Sequence, residues 1–170
     1  MNEKVRAATR RLTVAAVFMA LTVVMSSFSL PVPGGHLYLN DVVICTASLL
    51  LDPVSAFLVG GVGSFLGDFF FYPTPMLVSL VTHGLQAVII SVCAYRGKKQ
   101  YKLFWNWTGV LIGAIIMVVG YSLGRAFIYA TPEAAWLKLP YQILQAAVGA
   151  VSGIYLSSFL QNRKFTRRIF

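Results

Sequence analysis

Three short basic clusters partition this chain, and the long stretches between them carry almost no charge. Lys4, Arg6, Arg10 and Arg11 form the first, Arg96, Lys98, Lys99 and Lys102 the second, and Arg163, Lys164, Arg167 and Arg168 the third. Only Arg125 and Lys138 of the 14 Lys and Arg residues lie elsewhere. Such uncharged segments need lipid or a very large core around them. A soluble core does not fit, because 58% of the 170 residues are hydrophobic and only 11% are charged, against about 25% charged in ordinary soluble domains. Basic residues beside membrane spans stay in the cytoplasm. If all three clusters lie on that side, an even number of spans separates each from the next.

The apolar runs supply those spans. Leu12–Leu30 has the roughly 20 residues a bilayer crossing requires and ends at Pro31-Val32-Pro33-Gly34-Gly35. It exceeds the roughly 7–15 residues of a signal-peptide core, so it reads as a retained span. Val42–Leu51 is shorter, about 15 Å of helix, and lies between Asp41 and Asp52. Val54–Gly67 follows Pro53, and Met76–Tyr95, Phe104–Tyr129 and Leu137–Leu160 complete the series. Asp52-Pro53 is either a kink or a turn. A kink gives five spans and puts the second and third clusters outside, whereas a turn gives six and puts all three inside. The expectation is therefore an all-α integral membrane bundle of six transmembrane helices with both termini cytoplasmic. It is a single domain over 1–170 with basic cytoplasmic flanks at 1–11, 96–103 and 161–170. The external loops are then Pro31–Asn40, Phe71–Pro75 and Ala130–Trp136. In this setting the net charge of +9 faces anionic lipid head groups rather than nucleic acid, since no aromatic–basic recognition motif accompanies it.

Small residues recur four apart. Gly63 and Gly67, Gly109 and Gly113, Gly120 and Gly124, and Gly149 and Gly153 are spaced for close helix contact in lipid. Ala16 and Ala20 form a similar pair on the first span and are available to a partner membrane protein. Cys45 and Cys93 are isolated within apolar segments and read as packing residues.

Polar residues inside spans are costly, so their positions are informative. Ser64 and Asp68 share a face near the outer end of the third span. Ser79, His83 and Gln86 lie on one stripe of the fourth, with His83 roughly 12 Å deep. Tyr121 and Arg125 are four apart near the outer end of the fifth. Lys138, Gln142 and Gln145 align on the sixth, with Gly149 below them. The inner halves of these helices are Leu, Ile, Val, Gly and Ala. A channel or proton relay needs polar groups through its whole depth; here the pattern is a cup open to the outside with a closed floor. His36, Tyr38 and Asn40 lie in a glycine-containing loop able to fold over it as a lid. Blander readings stand beside these. Asp41 reads as the N-cap of the second helix, Asp52 as a turn and helix start, and Lys138 as interfacial. Arg125 either snorkels to head groups or pairs with Asp68, and His83 and Gln86 face a ligand or bond between helices.

No phosphate-binding loop of the G-x-x-x-x-G-K-[ST] kind is present. No His, Cys and carboxylate cluster has metal-ligand spacing. Ser64 with His83 is too weak a pair to define a hydrolase. No catalytic residue, metal site or cofactor is expected.

Several segments together resemble the S components of energy-coupling factor (ECF) vitamin transporters. They are Thr9-Arg10-Arg11-Leu12-Thr13, Pro33-Gly34-Gly35-His36-Leu37, Asn40-Asp41, Val59-Gly60-Gly61-Val62-Gly63-Ser64 with Gly67-Asp68, and His83-Gly84-Leu85-Gln86. The resemblance covers about half the chain, and the second half matches in span pattern alone. It implies a small prokaryotic plasma-membrane subunit, not an enzyme, that captures a water-soluble vitamin or precursor from outside. A transmembrane coupling subunit (T component) and two ATP-binding cassette ATPases then supply the energy. It places Ala16 and Ala20 against that coupling subunit. The subgroup that handles hydroxymethylpyrimidine or pyridoxine-like compounds is the nearest, with pantothenate or another vitamin as an alternative and a stand-alone secondary transporter as a further one. The expected substrate-binding residues are His36, Asn40, Asp68, His83, Gln86, Tyr121, Arg125, Gln142 and Gln145, with Tyr38, Tyr121 or Tyr141 stacking on a ring.

Overall fold

A computed structural model describes residues 3–96 and 99–162 of the chain. Lys98 and the third basic cluster, with nearly all of the 161–170 flank, lie outside the described residues. The described part is a helical bundle. α1 runs Glu3–Ser27, and a hairpin of β1 (Ser29–Val32) and β2 (Gly35–Tyr38) leads to α2 (Asn40–Leu50). α3 covers Pro53–Phe71 and α4 Met76–Arg96. α5 covers Lys102–Tyr129, and α6 runs Pro132–Asn162. Five of these helices are long and apolar enough to cross a membrane; α2, with 11 residues, is not.

Asp52-Pro53 is a turn between two helices. Leu51 and Asp52 are both extended, and Pro53 opens α3, where its missing N–H costs nothing. Asp52 caps α3: Ser55 donates its backbone N–H to Oδ1 at 3.2 Å and its hydroxyl to Oδ2 at 2.8 Å. A cap of this type contributes about 1 kcal/mol. Burial opposes the charge on Asp52, but the Ser55 hydrogen bonds, helped by the nearby positive charge of Arg11, outweigh it and hold the carboxyl below its usual range. Ser91 of α4 donates to the carbonyl of Leu51 at 2.6 Å and so ties down the end of α2. One end of the bundle therefore gathers Arg11, Asp52 and Arg96, together with Lys102, which donates to Gln161 at 2.7 Å.

The paired glycines set the helix spacing. Side chains added at Gly109, Gly113, Gly120 and Gly124 of α5 would strike Cys93, Ile90, Thr82 and Val78 of α4 in turn, all at 2.9 Å or less. Gly149 and Gly153 of α6 lie against Asp41 and Cys45 of α2, and Gly63 and Gly67 of α3 against Thr22 and Ser26 of α1. α2 is held on every side, and Ile44 and Ala47 are fully buried. By contrast Ala16 and Ala20 are exposed on α1, beside the exposed Val17, Leu21 and Val24.

The loop between α1 and α2 is a β-hairpin, a departure from a purely helical reading. Val32 pairs with Gly35, so the turn is Pro33-Gly34. Proline followed by a glycine at φ +79° is the order of a type II turn, which needs a positive φ at its second central residue. Two π-turns also interrupt the helices, at Leu58–Val62 in α3 and Arg125–Tyr129 in α5. The first presses Gly60 on the His83 carbonyl and Ala87.

Candidate ligand cavity beneath the hairpin

The hairpin lies over a polar cavity of ≈ 30 Å³ between the helices, room for about one or two waters. His36 of β2 and Asn40 at the start of α2 line it, with Asp68 from α3 and His83 from α4. Tyr121 and Arg125 come from α5, and Gln142 and Gln145 from α6. Of the substrate-binding residues expected from the sequence, only Gln86 is not at the wall; it stands behind His83, with Oε1 2.6 Å from the imidazole Nδ1. Tyr38 also lines the cavity, and Tyr141 does not.

Two hydrogen-bonded groups shape the wall. In the first, the fully buried Ser79 donates to Asp68, and its oxygen is 2.5 Å from Tyr121 Oη. That contact orients Tyr121 so that its ring meets His83 at 5.2 Å between centroids and 62° between planes. In the second, Asp41 is the acceptor at the centre. Its Oδ1 accepts from Gln86 Nε2 at 3.1 Å, and its Oδ2 from Gln145 Nε2 at 2.5 Å. His83 Nδ1 is 3.7 Å from the same carboxylate. Asp41 is thus not the N-cap: Leu39 holds that position without a side-chain bond, and the helix begins one residue earlier at Asn40.

Cations and an amide hold the hairpin down. Arg125 Nη1 donates to the Gly34 carbonyl at 2.6 Å, and Lys138 Nζ donates to the His36 carbonyl. Gln145 Oε1 accepts the backbone N–H of Tyr38 at 3.0 Å. Gly34 packs so tightly on α6 that a Cβ would lie 2.9 Å from the Ala134 carbonyl. The imidazole of His36 meets the Tyr72 ring edge-on at 5.9 Å. Lys138 is thus buried at 2% exposure and bonds a loop carbonyl instead of reaching outward. Arg125 and Asp68 have separate partners instead of each other, and the Arg125 guanidinium also lies 5.3 Å from the centre of the Tyr129 ring. Gln142 bonds between helices, donating to the Val118 carbonyl at 2.7 Å.

Three polar atoms of cavity-lining residues are buried and unpartnered: Asn40 Oδ1, Arg125 Nε and Tyr129 Oη. Buried polar atoms without partners are expensive, and all three belong to residues that line the one cavity. The expected substrate-binding residues leave out Asp41, Ser79, Lys138 and Tyr129, although the sequence pattern puts Ser79 and Lys138 on the polar stripes of the cup. Spacing offered a signal for two of them, since Ser79 shares the stripe of His83 and Lys138 that of Gln142.

Residues 6–162 of the chain match the family described as "ECF-type riboflavin transporter, S component". A protein of Pyrococcus woesei described as "Uncharacterized protein in gap 3'region" is 32% identical over 146 residues, covering 85% of this chain and 96% of that protein.

Proposed function

This chain belongs to the ECF-type riboflavin transporter S component family, and we propose that the cavity beneath its hairpin captures a flat, uncharged, heteroaromatic vitamin or vitamin precursor from outside the cell. The observation that carries this reading is one cavity lined by polar and aromatic side chains from β2 and from α2 through α6, among them Asn40, Arg125 and Tyr129, each of which keeps a buried polar atom without a partner. Aromatic faces and a few fixed polar groups are what recognise a small flat ligand, and Tyr38, Tyr121 and His83 supply the faces.

The charge around the site is balanced. Asp41 and Asp68 stand against Arg125 and Lys138, and both cations already donate to hairpin carbonyls. Hydroxymethylpyrimidine and pyridoxine meet this condition, as does riboflavin, the vitamin in the family's description. Pantothenate, an anion, meets it less well. In this reading the three basic clusters and both termini lie in the cytoplasm, and the cavity opens outward. A transmembrane coupling subunit docks on the exposed Ala16 and Ala20 face of α1, and a pair of ATPases supplies the energy.

Thermal unfolding of the purified protein with riboflavin, hydroxymethylpyrimidine, pyridoxine and pantothenate tests the proposal. A raised midpoint with one of the first three is expected. No shift with any of the first three, or a shift with pantothenate alone, overturns it.

A further inference from the structure

We infer that Asp41 is a positioning residue that fixes the hydrogen-bond polarity of the inner cavity wall, leaving His83 Nε2 as an acceptor, so that the ligand must bring a ring N–H or a hydroxyl to it. The ligand half of this inference rests on the capture reading above; the half that concerns His83 does not.

A carboxylate only accepts hydrogen bonds. Each oxygen of Asp41 holds one side-chain amide, Gln86 on Oδ1 and Gln145 on Oδ2. Both amides must therefore turn Nε2 toward Asp41 and Oε1 away from it. For Gln145 an independent contact agrees: its Oε1 faces the backbone N–H of Tyr38, which can only donate. For Gln86, Oε1 faces His83 Nδ1 at 2.6 Å. That oxygen has lone pairs alone, so the proton between them belongs to Nδ1. In the uncharged ring the second nitrogen, Nε2, then carries a lone pair, because the bond made by one imidazole nitrogen decides the tautomer of the other. His83 lines the cavity, and among the described residues its Nε2 has no hydrogen-bond partner.

Asn40 obeys the same logic. Ser26 gives its hydroxyl proton to the Thr22 carbonyl at 3.0 Å, so toward Asn40 it can only accept. It accepts Nδ2 at 3.2 Å, which leaves Asn40 Oδ1 as the buried atom without a partner. Asn40 on α2 and His83 on α4, both lining the cavity, thus each keep an unused acceptor, while the unpartnered atom of Arg125, from α5, is a donor. A ligand that fits has N–H or O–H donors on one edge and an acceptor on another.

The chain has two histidines, so ¹⁵N-histidine labelling reads the tautomer directly, with His36→Gln assigning the signals. Spectra are recorded at about pH 8.5, well above the roughly 6.5 of a free imidazole. The expected result for His83 is a protonated Nδ1 and a pyridine-like Nε2, opposite to the tautomer that free histidine favours. Asp41→Leu releases the Gln86 amide and is expected to give a mixture of both forms. A protonated Nε2 in the unaltered protein overturns the inference, and an unchanged tautomer in Asp41→Leu overturns the role of Asp41. Of riboflavin, pyridoxine and hydroxymethylpyrimidine, any that binds is expected to lose at least about tenfold in affinity when its donor is methylated; equal binding of both forms overturns the ligand half. If none of the three binds, the capture reading falls, while the nitrogen spectrum still decides the tautomer.

Discussion

Arg125 and Gly34 are 91 positions apart in sequence, yet Nη1 of the first donates to the carbonyl of the second at 2.6 Å. Lys138 does the same for His36. Two cations on different helices thereby fasten one hairpin, and each such charged hydrogen bond contributes about 1.5–3 kcal/mol.

If the cavity takes a ligand as proposed, loosening either fastening is expected to change how fast that ligand comes and goes. Arg125→Met and Lys138→Met are each expected to raise both association and dissociation rates, the latter about tenfold, in stopped-flow measurements. A faster dissociation alone would mark the side chain as a ligand contact, and unchanged rates in both variants would refute the fastening role.

The Gly149–Gly153 face of α6 is a close-packing surface. A Cβ at Gly153 would lie 2.5 Å from Cys45 Cβ, and one at Gly149 2.7 Å from Asp41 Cβ. Gly153→Ala is expected to destabilise the bundle by about 1–3 kcal/mol. Gly149→Ala is expected to do the same and also to disturb the carboxylate at the centre of the cavity network. Thermal midpoints together with vitamin affinity check this: Gly149→Ala should lose binding more severely than Gly153→Ala.

Ala16 and Ala20 make the opposite case. Both are exposed, so Ala16→Leu and Ala20→Leu are expected to leave the thermal midpoint and ligand affinity within error of the unaltered protein. Co-purification with an energy-coupling module should be abolished. Normal assembly of both variants would mean that another face of the subunit docks.

Sidedness has its own test. In a Cys45→Ala, Cys93→Ala background, Gln100→Cys is expected to react with a membrane-impermeant maleimide only after the cells are opened. Labelling of intact cells would put the Arg96–Lys102 segment outside and reverse the cavity's orientation.

Much of the fold was legible because lipid imposes simple rules. Long uncharged runs mark helices, Asp52 before Pro53 marks a cap and start, and glycines four apart mark contacts; all three are local signals. The cavity was partly legible for the same reason, since a polar side chain in an apolar span stands out. Asp41 was misread because an aspartate preceding an apolar run looks like a cap. Its actual partner Gln145 lies 104 residues away, beyond any local pattern. Lys138 stood on the polar stripe of the cup, but its bond to a loop carbonyl 102 residues away was beyond any local pattern. The strand pairing of Ser29–Val32 with Gly35–Tyr38 was hidden by two prolines and by strands only four residues long.

The chamber's size has a kinetic corollary. A void of ≈ 30 Å³ is smaller than any vitamin, so the capture proposed above requires the hairpin that carries Gly34 and His36, or the side chains beneath it, to give way first. Equilibrium titrations will then understate the intrinsic fit by the fraction of molecules caught open. A weak apparent constant would reflect a reluctant doorway as much as a poor match inside.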